Sequence, residues 1–136
     1  MTIRREIGNV ERVVVKIGTR VLTSSDNQII RRRIDILACQ IVDLVSSGTD
    51  VVIVSSGAVG AGMGRLGLDS YPRLIPDRQA AAAVGQVQLM KMWEYAFARH
   101  DRQVGQVLVP AAALQSRYRY VHLQNPFESL LRMDVV

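Results

Sequence analysis

From Val10 to Gly18 the chain reads VERVVVKIG, a near-continuous β-branched run without strict polar alternation. Such a run suits a strand covered on both faces, as in a parallel sheet, and predicts the first strand. After the polar turn TSSDNQ, the segment Ile29 to Ser47 places Ile34, Leu37, Ala38, Ile41, Leu44 and Val45 at helical spacing. This predicts an amphipathic helix, closed by Gly48 in the left-handed conformation of a C-cap. DVVIVSS, from Asp50, reads as a second buried strand, so strand, helix and strand form a right-handed parallel crossover.

A short glycine-bearing helix is predicted from Ala58 to Leu66. The loop DSYPRLIP follows, and then a long helix from Asp77 to Asp101 rich in alanine, methionine and glutamine. QVGQVLV, from Gln103, reads as a third strand. Leu114 to Met133 is helical again, with Pro126 expected to kink or split it, because proline removes a backbone donor and crowds the preceding turn. The closing DVV opens a fourth strand. Strands alternating with helices place the chain in the α/β class, as a doubly wound, mainly parallel sheet with helices on both faces. No repeat, low-complexity tract or linker divides it. Because the last apolar run stops after two residues, the chain is expected to be a truncated domain.

Composition sharpens this picture at a few points. With 136 residues, 49% apolar and 21% charged, the chain has the size and balance of one unit with a packed core. The net charge of +5 rests on arginine, since Lys16 and Lys91 are the only lysines. The densest basic cluster, Arg31 to Arg33, has no interleaved aromatics. It reads as a solvated helix face rather than a nucleic-acid platform, and the surplus charge suits anionic small molecules such as nucleotides. The single cysteine, Cys39, excludes an internal disulfide and falls within the apolar pattern of its helix, where a buried, inert thiol is expected. The start MTIRREIGNVER has no run of signal-peptide type, and no segment approaches the ~18 uninterrupted apolar residues of a membrane span. A cytoplasmic protein without membrane association is therefore expected.

The stretch VVIVSSGAVGAGMGRLGL, Val51 to Leu68, carries Gly57, Gly60, Gly62, Gly64 and Gly67. Its GMGRLG fits the G-x-G-x-x-G of dinucleotide-binding turns, in which the first glycine closes the strand. Here Gly62 comes eight residues after Val54, and AAAAVGQVQL stands where that fingerprint needs an acidic residue. No glycine precedes a Lys-Ser or Lys-Thr pair, so a phosphate loop is excluded as well. What abuts the strand is SSGAV, where Gly57 and Ala58 offer backbone N–H groups to an anion at a helix start. The same residues suit a plain strand-to-helix turn capped by Ser56. Gly60, Gly62 and Gly64 then point to close packing of the short helix on the sheet or on a bound substrate.

KIGTRVLT ends the first strand in a comparable way. Lys16 sits near the carboxyl end of the strand, and Gly18 and Thr19 turn the backbone away, so two loops meet at the sheet edge where open α/β proteins bind ligands. A lysine on an apolar strand either reaches an anion or points outward to solvent.

VVVKIGTRVLT, VVIVSSGAVGAG and QAAAAVGQVQLM, in this order and spacing, resemble the amino acid kinase family, and most closely its glutamate 5-kinase branch. The resemblance runs from about Val10 to Val136. It implies phosphorylation of a carboxylate with ATP and Mg2+: in that branch, L-glutamate becomes L-glutamyl 5-phosphate, the first step of proline biosynthesis. By the resemblance, Lys16 is catalytic and contacts the nucleotide phosphates, with Gly18 and Thr19 lining the same phosphate site. Ser56, Gly57 and Ala58 bind glutamate, while Gly85 and Gln86 read as packing. No residue is assigned to a metal. The implied partners are L-glutamate, ATP and further copies of the chain in a homo-oligomer.

Downstream the resemblance loosens. Arg117, Tyr120 and Asn125 keep the family pattern, but Pro110, Ala113, His122 and Pro126 replace its threonine, aspartate, asparagine and threonine, which weakens the expectation of proline inhibition. The family's later acidic loop, adenine-binding part and second active-site lysine have no counterpart here. Residues 1–136 are accordingly expected to form the substrate-side part of the domain, with negligible kinase activity alone. The alternative is a non-catalytic fragment or interaction module with an incomplete kinase fold. His100 and His122 have no ligand partners at metal-binding spacing, and Met90, Met92 and Trp93 read as core or subunit interface.

Overall fold

The computed structural model describes residues 10–110 and 117–136. The charged amino-terminal segment and the predicted helix onset at Leu114 lie outside the described residues.

Strand β1 (Arg12–Ile17) pairs in parallel with β2 (Asp50–Ser55), from Arg12 opposite Asp50 to Ile17 opposite Ser55. Helix α1 (Thr19–Leu22) leaves β1 directly, and α2 (Arg31–Ser46) makes the crossover. Three further helices follow: α3 (Ala58–Leu66), α4 (Ile75–Ala98) and α5 (Arg117–Arg132). The α/β class and the parallel crossover read from the sequence are thus both present.

The core forms on one face of the strand pair. Ile17 and Val51 meet Ile34, Ala38 and Ile41 of α2, and Leu89, Trp93 and Phe97 of α4 close the cluster. On the opposite face Val14 and Val54 are 62% and 46% exposed, so the described helices do not cover the second face that the β-branched run of β1 anticipates.

The buried positions of α2 follow the predicted stripe at 34, 38 and 41, while Leu44 is exposed. Cys39 is exposed and corrects the expected buried thiol. It follows the buried Ala38 by one residue, a rotation of about 100° around the helix, which carries it off the core stripe. The helix ends as expected. Gly48 takes φ 90°, its N–H reaches the Val45 carbonyl at 3.0 Å, and the Thr49 N–H reaches Leu44 at 3.1 Å, the two bonds of a Schellman cap.

Helix α4 begins at Ile75 rather than Asp77, since Pro76 fits the first turn and Asp77 adds a favourable charge beside it. It ends at Ala98, short of Asp101, which adopts φ 54°. Against α4 lies α3 at a distance only glycine permits. A Cβ on Gly62 would run into the Ala81 carbonyl, and one on Gly85 into the Ala58 carbonyl. The glycine run therefore packs on a helix and not on the sheet. Gly64 instead faces the Asn27 carbonyl, 2.6 Å from where its Cβ would stand.

The expected third strand is absent. Residues 104–110 carry no regular structure, and one parallel bridge joins Gln103 to Val135. The Gly105 N–H donates to the Val136 carbonyl at 2.9 Å and the Val136 N–H to Gln103 at 3.1 Å. These groups take their partners from the chain's last residues, and neither segment joins the ladder of β2. The predicted fourth strand is reduced to that same bridge. Pro126 lies inside α5, which runs through it as one helix rather than two.

Candidate functional site

The strands end side by side. The Ser56 N–H donates to the Ile17 carbonyl at 2.9 Å, which holds the turn after β2 against the end of β1. Gly57 then adopts φ 115°, a conformation that strains any residue with a side chain, and α3 starts at Ala58. The first helical bond runs from the Ala61 N–H to the Gly57 carbonyl at 2.8 Å. The N–H groups of Gly57, Ala58, Val59 and Gly60 have no acceptor among the described residues. Gly57 occupies the cap position, and no side chain caps the helix, so the alternative of Ser56 as a helix cap is corrected. The serine lies one residue too early to reach the second or third helical N–H.

These groups open into a cavity of about 960 Å³ whose wall includes Thr19, Ser56, Gly57 and Ala58. The fold thus gathers four of the predicted site residues. Lys16 and Gly18 stand outside that wall. Lys16 is on the outward face of β1 beside Val14, exposed, one residue before the buried Ile17. Gly18 is extended at φ −79°, so the backbone leaves β1 without left-handed glycine geometry.

The rest of the wall comes from a part of the chain read only as a polar turn. Leu22, fully buried, anchors α1, and the Thr23 hydroxyl donates to the Thr19 carbonyl at 3.0 Å. The chain reverses at Asn27, φ 61°, and returns through the bridge of Thr23 to Ile29. This brings Arg20, Thr23, Ser24 and Asn27 to the cavity, which Tyr71 also lines. Arg33 of α2 completes the wall, donating to the carbonyls of Arg20 and Val21 at 3.1 and 3.2 Å. The missed signal was Leu22, an apolar residue in TRVLT that needs burial and therefore folds the turn back onto the core.

The electrostatics are one-sided. Arg20 and Arg33 bring positive charge, hydroxyls and open N–H groups accompany them, and none of the described residues lining the wall carries a carboxylate. Asp26 lies just outside, its carboxyl held below the usual aspartate range by the Ser24 hydroxyl and then by its own backbone N–H. Such a lining suits an anion.

A second cavity, about 380 Å³, follows the unpaired edge of β2 past Trp93, Phe97 and Leu130. None of the described residues lining it is charged.

Phosphate groups, as in a nucleotide, fit the open N–H groups and the nearby cations. A resident magnesium ion does not fit the described lining, because it prefers carboxylate oxygens and those residues supply none. Among the described residues no group of three or more His, Cys, Asp and Glu side chains could hold a metal ion. None of their helices is long and apolar enough to cross a membrane.

A sequence model of the amino acid kinase family matches residues 11–136. The glutamate 5-kinase of Moorella thermoacetica is 45% identical over 133 residues, which is 98% of this chain and 35% of the relative. That of Citrifermentans bemidjiense is 46% identical over 127 residues, 93% of this chain and 34% of the relative. That of Clostridium acetobutylicum is 42% identical over 135 residues, 99% of this chain and 51% of the relative. The chain therefore spans about a third to a half of the length of these curated relatives. A cavity at the carboxyl ends of two parallel strands, the glycine-tight α3 and a family match across nearly every residue lead to one statement: the chain belongs to the amino acid kinase family.

Proposed function

We propose that residues 1–136 form the substrate-side part of a cytoplasmic glutamate 5-kinase, which transfers the terminal phosphoryl group of ATP to the side-chain carboxylate of L-glutamate. The product is L-glutamyl 5-phosphate, and the reaction opens proline biosynthesis. The observation that carries the reading is the cationic, carboxylate-free cavity whose wall contains Ser56, Gly57 and Ala58.

The chemistry asks little of acid–base groups. A glutamate carboxylate is already ionised at neutral pH, so the attacking oxygen needs no general base. Catalysis then rests on positioning and on neutralising the charge of the transferring group. In this proposal the Ser56 hydroxyl and the N–H groups of Gly57 and Ala58 hold glutamate. Lys16, with Gly18 and Thr19, meets the phosphates where β1 ends. ATP supplies the phosphoryl group when bound, and Mg2+, which these residues do not fit, is left to other parts of the protein. Homo-oligomer formation belongs to the same proposal.

The test is ATP-dependent hydroxamate formation from L-glutamate, paired with an NMR titration of the chain with L-glutamate. The chain alone should bind glutamate and form negligible hydroxamate. Failure to bind glutamate at any millimolar concentration overturns the reading of the cavity, and robust hydroxamate formation overturns the division of labour.

A further inference from the structure

We propose that Arg20 is the specificity-determining residue for a second carboxylate on the substrate. It rests on the reading of the cavity as an amino-acid site. In this arrangement the cavity seats a dicarboxylate at two places: the N–H groups of Gly57 and Ala58 take one carboxylate, and the Arg20 guanidinium takes the other.

Arg20 stands apart from the paired arginines of the chain. Arg12 pairs with Asp50 and Glu128, Arg31 and Arg99 with Asp35, and Arg102 with Asp134. Arg20 is exposed and is one of the residues lining the cavity, and its side chain has no carboxylate or hydrogen-bond acceptor among the described residues. Its backbone, by contrast, is firmly placed. Leu22 is fully buried two residues on, and Arg33 clamps the carbonyls of Arg20 and Val21. An arginine on an anchored turn, beside a cavity whose described lining residues carry no competing carboxylate, is suited to receive a carboxylate through two parallel N–H bonds. A ligand lacking that group leaves the exposed cation to water, forgoes the charge-assisted bonds and binds more weakly.

The Arg20 side chain has no structural partner to lose, so its replacement separates binding from folding. The experiment is an NMR titration of the full chain with L-glutamate, L-glutamine and 4-aminobutyrate, followed by the same titrations of Arg20→Gln and Arg20→Lys. L-Glutamine lacks the side-chain carboxylate and 4-aminobutyrate lacks the α-carboxylate. Arg20→Gln should weaken L-glutamate about tenfold. It should leave one of the two analogues unchanged, the one already missing the carboxylate that Arg20 holds. Arg20→Lys should recover part of the loss, and melting temperatures should match. Equal weakening of all three ligands would show a diffuse charge effect and overturn the inference, as would an unchanged affinity for L-glutamate. In both of those outcomes the wild-type chain still binds L-glutamate and the proposed function stands. Absence of L-glutamate binding to the wild-type chain would instead overturn both.

Discussion

The Ser56 N–H donates to the Ile17 carbonyl at 2.9 Å, and through this bond the turn after β2 is fixed to the end of β1. The bond uses only backbone atoms, so the Ser56 hydroxyl remains free for a ligand. Ser56→Ala should therefore leave the melting temperature unchanged while weakening L-glutamate by about ten- to a hundredfold, the loss of one hydrogen bond to a charged group. Parallel thermal melts and NMR titrations check it; a lowered melting temperature with unchanged affinity would make Ser56 structural.

The contact of α3 with α4 depends on two missing side chains. Gly85→Ala places a methyl group where the Ala58 carbonyl and the Gly62 backbone already stand, and Gly62→Ala meets the Ala81 carbonyl. Both neighbours are helical backbone and cannot rotate aside. Each variant should lose about 1–3 kcal/mol of unfolding free energy, read from the midpoint of urea denaturation. Since α3 carries Gly57 and Ala58 at its start, the same shift should lower glutamate affinity.

How far the sequence reaches is visible in these residues. The stripe of Ile34, Ala38 and Ile41, the Gly48 cap and the two parallel strands follow from local periodicity, because each is decided by neighbours a few positions away. Gly62 and Gly85 are legible as tight packing but not as a pair, since the contact joins residues 23 apart in sequence. The segment from Gln103 has strand composition and still forms no strand: composition describes a residue, while a ladder requires a partner edge within reach. Arg20 was legible only as a charge. That it faces the cavity depends on the burial of Leu22, a tertiary effect that no window of sequence contains.

Trp93 is 3% exposed, and its indole N–H donates to the Ser55 hydroxyl at 3.3 Å, tying α4 to the end of β2. Ser55→Ala leaves a buried donor without an acceptor. The expected cost is about 1–3 kcal/mol of stability, accompanied by a change in tryptophan fluorescence. Ser55→Thr, which keeps the oxygen, should recover most of it.

The Asp26 carboxyl is lowered from the ordinary aspartate value, first by the Ser24 hydroxyl and then by its own backbone N–H. A depressed folded value means that the unfolded chain binds the proton more readily. The contribution to stability is therefore full above about pH 4, where the unfolded aspartate titrates, and is lost as pH falls through the folded value. A carboxyl NMR titration should place Asp26 below ordinary aspartates, and Ser24→Ala should move it back toward them. An unmoved titration in that variant would assign the shift to the backbone.

Among the described residues no strand pairs with the far edge of β2, and the outward face beside it exposes Val14 and Val54 by 62% and 46%. An unpaired edge next to apolar surface is a template for another chain, because a new strand satisfies the backbone groups and covers the valines at once. The chain should accordingly self-associate, with an average mass by light scattering that rises with concentration. Val14→Glu and Val54→Lys place charge on that face at positions where burial contributes little, so they should shift the population toward monomer while changing the melting temperature only slightly. A wild-type chain that stays monomeric at every concentration would mean that the edge is shielded, and the homo-oligomer would then have to be built on another surface.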